Sequence, residues 1–247
     1  MNTPIPGTLR LAFSTAADHA AIKALFEPTV KDRIDPQGQV AGRDESLFNH
    51  HIDSGRTALF KDEDGHVHTM TVAWHLSAEN DRQPRPRHIE IGTAMTRLPG
   101  FHSASVVIAA LALHEWWKPT VPRGLIAAEV SNDNKPSQKL FRDTLGWKAI
   151  TNRQTLTNIN EFSYAGVVDY SHTDDQKTWY KSNGATRRHQ AEILLDFLKR
   201  GSLTNKTGHA IILDLSALQE TGLTMKRLEA LANGVHTKKA LRAVAPS

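Results

Sequence analysis

Apolar and polar positions alternate over residues 9–13 and stop at Ser14. This predicts a strand, then a helix over residues 15–26 with Ser14 as its cap. Pro28, Asp35-Pro36 and Gly38 break the pattern before a second short helix at residues 45–52. Thr57–Lys61 and Val67–Leu76 read as strands flanking Glu63-Asp64-Gly65, a hairpin turn signal. His88–Thr96 is the next strand, after a polar loop that carries Arg82, Arg85 and Arg87. Residues 105–117 form a strongly apolar helix that ends before Pro119, and residues 125–130 are an apolar run suited to a buried strand.

The densest signal lies between Val130 and Trp147. Asn132, Asp133 and Asn134 supply turn and cap chemistry, and Lys135-Pro136 puts a proline at the first turn of a helix. Leu140, Phe141 and Leu145 recur at helical spacing, and Gly146 is placed to stop the helix in a left-handed conformation. Further on, residues 185–200 form an amphipathic helix stopped by Gly201, and residues 209–215 a short apolar strand or buried segment. Residues 224–232 and 236–244, joined by Asn233-Gly234-Val235, have the outline of a helix-turn-helix. Glu229 and Asn233 fall where that motif wants apolar residues, so a packed helical appendage fits better.

The order V-x-x-x-N-x-x-S-x-x-L-F followed by L-G-W, on Val130, Asn134, Ser137, Leu140, Phe141, Leu145, Gly146 and Trp147, resembles a signature of the GNAT N-acetyltransferase family. Together with the element order, the resemblance spans about residues 8–168. It implies an α/β (α+β) fold with a mixed, mostly antiparallel central sheet flanked by helices. The implied activity is transfer of an acetyl or other acyl group from acetyl-CoA or another acyl-CoA to an amine, directly in a ternary complex.

In such a protein the fourth strand carries the pantetheine arm, which the resemblance puts on residues 93–97, with Met95 nearest the thioester. The family's phosphate turn, Arg/Gln-x-x-Gly-x-Gly/Ala, corresponds to Gly100-Phe101-His102-Ser103-Ala104-Ser105, with serines for both glycines. A second register starting at Arg97 recovers the basic residue and puts His102 at the last small position. Free N–H groups and the helix dipole suit an anion in either register. Asn134 matches a residue that contacts the pantetheine amides, and Ser137 the small residue one turn on. Phe141 stands where many members have a tyrosine that protonates the departing thiolate, a role a phenyl ring cannot fill; Tyr164 or solvent is the substitute. One more residue than usual separates it from Gly146. Glu90 is the expected base, with His75 and His88 as alternatives, and Glu129 on the neighbouring strand is a candidate for a cationic acceptor.

Composition narrows the class. A chain of 247 residues, 39% hydrophobic, can bury one substantial core. Without cysteine there is no disulfide, thiolate metal site or cysteine nucleophile. His50-His51 and His66-x-His68 have no third ligand in sequence, so no metal is expected. No run approaches a membrane span and the N-terminus has no basic-then-apolar leader, which makes a cytoplasmic protein the simplest expectation. The net charge of +4 is concentrated after residue 170, where twelve Lys/Arg face seven Asp/Glu. That shift divides the chain into a 1–170 acyltransferase-like domain and a basic, mainly helical 171–247 extension.

The acceptor is a small-molecule or protein amine, and a homodimer is compatible with the chain. The apolar neighbourhood of Phe101, Phe141 and Trp147 also suits a longer acyl chain. Two rival classes remain: a GNAT-shaped CoA-binding protein without catalysis, and a nucleic-acid-associated protein using the basic tail and the arginine loop.

Overall fold

The computed structural model describes residues 5–36, 38, 40, 42–76, 88–118, 125–163, 167–169, 176–235 and 237–244. Among the described residues, eleven strands and ten α-helices form one nine-stranded sheet, one two-stranded pair and the helices packed on them. In chain order the elements of the N-terminal half are β1 (Thr8–Phe13), α1 (His19–Lys23), α2 (Pro28–Ile34), β2 (Gly42–Arg43), α3 (Glu45–Asp53), β3 (Thr57–Lys61), β4 (Val67–Leu76), β5 (His88–Thr96) and α4 (Ser103–Trp117). Then come β6 (Ile126–Ser131), α5 (Lys135–Lys139), β7 (Lys148–Ala149), α6 (Arg153–Ser163), β8 (Val167–Asp169), β9 (Lys177–Ser182) and α7 (Gly184–Arg200). The chain finishes with β10 (Ser202–Thr204), β11 (Ala210–Asp214), α8 (Ser216–Glu220), α9 (Met225–Ala232) and α10 (Lys238–Ala243).

The sheet order is β10-β11-β1-β3-β4-β5-β6-β9-β7. Its pairs are antiparallel except β1 with β11 and β5 with β6, so the sheet is mixed and mostly antiparallel, as expected. Helix α4 is apolar all round because it is buried all round: it lies between the sheet and α7. Leu111 and Leu113 of α4 share a core with Leu194 of α7 and with Ile89 and Ile91 of β5. The opposite face is packed by Ile22 and Leu25 of the first helical segment and Ile52 of α3 against Met70, Val72 and Trp74 of β4. No described helix is long and apolar enough to cross a membrane.

Several local elements differ from expectation. Ser14 is not a helix cap; its hydroxyl donates to the Ile52 carbonyl at 2.7 Å. The turn begins at Thr15, whose N–H and hydroxyl both donate to Asp18, and the expected long helix is a 3₁₀ turn (Ala16–Asp18) plus the short α1. Pro28 starts a helix rather than interrupting one, since proline at the first helical position gives up only an N–H that would have no intrahelical partner.

The extra residue before Gly146 is absorbed as a π-turn over Leu140–Thr144. Leu145 N donates to Leu140 O at 2.9 Å and Trp147 N to Phe141 O at 2.8 Å. Gly146 then takes φ +67°, where an added Cβ would stand 3.2 Å from the His189 ring.

The sheet runs across residue 170. Strand β9 lies between β6 and β7, and β11 extends the far edge beside β1. The segment between β7 and β9 contains the helix α6 and the three-residue β8; Tyr164, the expected substitute acid, lies outside the described residues. Strand β8 pairs with β2, Gly42 opposite Asp169 and Arg43 opposite Val167.

Candidate active site

The site is built where two neighbouring strands part. Strands β5 and β6 pair at Ile89↔Ile126 and Glu90↔Ala127, with Ile89 N donating to Leu125 O at 2.9 Å, and there the pairing stops. Past that point β5 continues along β4 to Thr96, and β6 continues along β9 to Ser131.

The parting has a local cause. Against β4, Met95 faces Met70 and Gly92 faces Val72, so three steps on β5 match two on β4. This is a β-bulge, which bends the strand that carries it. Thr93 absorbs the extra residue at φ +50°, a left-handed conformation uncommon for a β-branched side chain. Two hydrogen bonds hold it: Trp74 Nε1 donates to Thr93 Oγ1 at 3.1 Å, and Thr71 Oγ1 to Gly92 O at 2.9 Å.

Glu90 stands at the last paired position before the strands separate, 5% exposed, on the face away from α4. Its carboxylate lies back over Gly92, where an added Cβ would be 2.7 Å from Oε1. On the same face of β6, Glu129 pairs with Lys177 at 3.1 Å, so its charge is already matched.

The two histidines lie elsewhere. His75 points toward α4 and donates through Nε2 to Glu115 at 3.1 Å; Glu115 is 1% exposed and also takes Lys118 Nζ at 2.5 Å. Burial holds His75 below its usual pKa, while Lys118 and His75 together hold Glu115 ionised, down to about 2, against the opposing effect of its own burial. His88 receives the Leu125 N–H on Nδ1 at 3.2 Å, tying together the starts of β5 and β6.

The turn before α4 sits at the open end of the split. Gly100 (φ +82°) and His102 (φ +60°) are both left-handed, so the chain turns sharply into the helix. Phe101, Ser103 and Ser105 of the turn face inward, whereas His102 is exposed. Phe101 is 3% exposed in the core, and Ser105 Oγ donates to His102 O at 2.6 Å. Ser103 Oγ is held by Thr69 Oγ1 at 2.9 Å and Thr96 Oγ1 at 3.1 Å, in a triangle closed by Thr69–Thr96 at 2.9 Å.

With both serine hydroxyls engaged, this turn offers an anion its backbone and the exposed His102 side chain: the first-turn N–H groups of α4, at Ser103 and Ala104, have no carbonyl one turn back to bond. Arg97 does not point here. Its Nη2 donates to Ala24 O at 2.9 Å, and its Nε is buried without a partner. Met95 is 3% exposed and packs with Met70 on the α1–α3 face.

Asn134 caps α5, its Oδ1 accepting from Ser137 N at 3.0 Å. Phe141 is buried, edge-on to Trp147 at 5.2 Å and stacked with Tyr180 at 6.2 Å and 17°. Residues of the turn, the bulge and Glu90 thus share the split, whereas His75, Arg97 and the Ser103 hydroxyl are engaged elsewhere.

Sequence reasoning reaches Thr93 only as the first residue of the 93–97 segment, and finds neither the bulge there nor Gly92 or Tyr180. The bulge exists only in the count between two strands, and Tyr180, the only tyrosine among the described residues, reaches Phe141 by pairing opposite Ala128. The third ligand missing beside His66 is supplied in space: ligand atoms of Asp62, Asp64 and His66 lie within 4.8 Å of one another in the β3–β4 turn. Asp62 there already accepts from the Asp64 and His66 N–H groups and from His68 Nε2 at 2.8 Å, which accounts for the turn without an ion.

No protein-family model and no curated protein matches the chain. Solved structures similar to it include an acetyltransferase of the GNAT family from Listeria monocytogenes, 12% identical over 70% of this chain and 92% of that one, TM-score 0.45. An N-acetyltransferase from Staphylococcus aureus is 16% identical over 71% and 98%, TM-score 0.46. A GCN5-related N-acetyltransferase from Brucella melitensis is 15% identical over 85% and 90%, TM-score 0.47. These are likenesses of fold alone.

Proposed function

We propose that the chain is an N-acyltransferase that uses an acyl-CoA, acetyl-CoA in the simplest case, and an amine acceptor. The observation that carries this reading is the parting of β5 from β6 immediately after Glu90, with the Thr93 bulge three residues on. A strand released from one neighbour offers N–H and C=O groups to an extended amide-bearing chain, as in β-strand addition. The turn from Gly100 to Ala104 offers backbone donors to phosphate at the open end of the same split.

The ligand set fits a pantetheine diphosphate held by main chain: the hydroxyls of Ser103 and Ser105 are already bonded inside the protein. The bound thioester supplies the activated acyl carbon. Glu90, through a water, takes the proton from the acceptor ammonium so that its nitrogen lone pair can form the new C–N bond. A backbone N–H of the bulged strand faces the developing oxyanion. The C–S bond breaks with its electron pair on sulfur, the second proton on the acylated nitrogen passes to solvent, and the thiolate takes its proton from solvent or from Tyr180, the phenol beside Phe141. The wall of the split then excludes bulk water from the thioester.

Mass spectrometry under native conditions and a thiol-release assay test this together. The expected result is a 1:1 CoA complex and amine-dependent thiol release from acetyl-CoA across a panel of small amines and peptides. Failure of CoA to bind at millimolar concentration would overturn the reading. Binding without turnover on any amine would favour a CoA-binding protein that has lost catalysis, for which Phe141 in place of an acid and Arg97 turned to Ala24 speak.

A further inference from the structure

At the other end of α4 from the Gly100–Ala104 turn, positive charges gather. Fifteen residues of helix put the two ends roughly 20 Å apart. Trp116 and Trp117 close α4, and four cations lie over their rings. Arg187 Cζ is 4.8 Å and Lys238 Nζ 5.8 Å from the Trp116 ring; Arg227 Cζ is 5.3 Å and Arg242 Cζ 5.7 Å from that of Trp117.

One of the four is structurally satisfied: Arg227 donates to Gly222 O at 2.9 Å and Leu241 O at 3.3 Å. The other three are not. Arg187 is half-buried, its Nε is fully enclosed without a partner, and its Nη2 lies near the start of its own helix, 3.9 Å from where a Gly184 Cβ would stand. Lys238 has one bond, to Lys118 O at 2.8 Å, and Arg242 is exposed. Among the described residues no carboxylate pairs with any of these three. Glu115, beside Trp116 in sequence, is taken by Lys118 and His75.

Ring faces alone recover only part of the cost of desolvating a guanidinium. Burial lowers the pKa of Arg187, and burial followed by the charges of Arg242 and Arg187 lowers that of Lys238, so the three groups sense one another. Buried or clustered like charges persist where something of opposite sign is recruited.

We propose that Arg187, Lys238 and Arg242 form a binding site for an oxyanion of the phosphate class, walled by Trp116 and separate from the acyl-transfer split. Arg187 contributes the planar fork that suits two oxygens at once, and Lys238 and Arg242 contribute point charges at the rim. Each tryptophan ring already carries two side-chain cations, so the site recognises the anionic group rather than an attached aromatic base.

The test uses the whole chain and inorganic phosphate, by calorimetry and thermal denaturation at constant ionic strength. One phosphate per chain is expected, with a rise in Tm of about 3 °C at tenfold excess over Kd. Arg242→Gln and Lys238→Gln, at exposed or half-exposed positions, should each weaken phosphate binding about tenfold or more and leave CoA binding unchanged. Arg187→Gln should abolish it, provided the variant still unfolds cooperatively. AMP binding more tightly than phosphate would identify a phosphate ester as the source, and equal affinity the free ion.

The same Tm rise in wild type and in Arg242→Gln would reduce the effect to a general salt response and overturn the proposal. Tight binding of duplex DNA that phosphate cannot displace would overturn it too, in favour of an extended polyanion surface. The readout needs neither CoA nor activity, so failure of the acyltransferase reading leaves it standing.

Discussion

A carboxylate lies flat along β5 at Glu90 only because residue 92 has no side chain. A methyl there would stand 2.7 Å from Oε1 and 3.5 Å from Cδ1 of the Trp74 indole, so the acid would have to shift. Glu90 and Gly92 therefore act as a pair, one supplying the group and the other its room. Replacing Glu90 by Gln keeps the shape and removes the base, so kcat/KM should fall by about 10²-fold at neutral pH. The deficit should shrink as pH rises and more acceptor is present as free amine, while CoA affinity stays unchanged. Wild-type rates in that variant would remove Glu90 from the chemistry.

At this scale the sequence discloses residue types but not their partners. Glu90 is legible from its place early on a strand. That Ser103 is consumed by Thr69 and Thr96, or that Arg97 turns to the Ala24 carbonyl, depends on residues up to 73 positions away.

Periodicity recovers most elements: β3, β4, β5, α3 and α7 fall within a residue or so of their expected bounds. What it misses are strand β9, paired to β6 about fifty residues earlier, and departures from regular pairing. The bulge at Thr93 and the π-turn at Leu140–Thr144 each insert a residue that local pattern cannot assign to a face.

Two helices also carry histidines held neutral by packing. His51 of α3 donates Nδ1–H to Leu47 O at 2.8 Å and accepts the His75 N–H at 3.2 Å; His114 of α4 lies 4.2 Å from the Phe13 ring. Burial takes both from the ordinary 6.5 to about 4. Between those values the unfolded chain binds the extra protons. Stability is thus complete above pH 6.5 and declines on acidification toward pH 4, by up to about 1.4 kcal/mol per pH unit for each histidine. Urea denaturation at pH 7.5, 6.5, 5.5 and 4.5 measures it, and His51→Gln should flatten the profile. A constant unfolding free energy from pH 6.5 to 5 would mean that neither ring is buried neutral.

As a whole the molecule is less divisible than its charge distribution suggests. The charge shift after residue 170 marks a boundary that hydrogen bonding does not respect, because strand pairing between distant segments leaves no trace in local composition. Ending the chain after Asn183 removes α7 from the outer side of α4 and strips β11 from β1, uncovering Leu111, Leu113 and their neighbours. Such a fragment should lose near-ultraviolet circular dichroism and cooperative urea unfolding. A fragment that unfolds cooperatively with full CoA affinity would show two independent units.

The pairing of Thr8 with Ile212 has a further consequence, in time rather than in space. On the ribosome the first strand emerges long before its partner is made, and closing so large a loop is slow and entropically costly. Through most of synthesis one edge of β1 stays open to stray strands, a reason for folding in the cell to depend on chaperones until the last hundred residues have been translated.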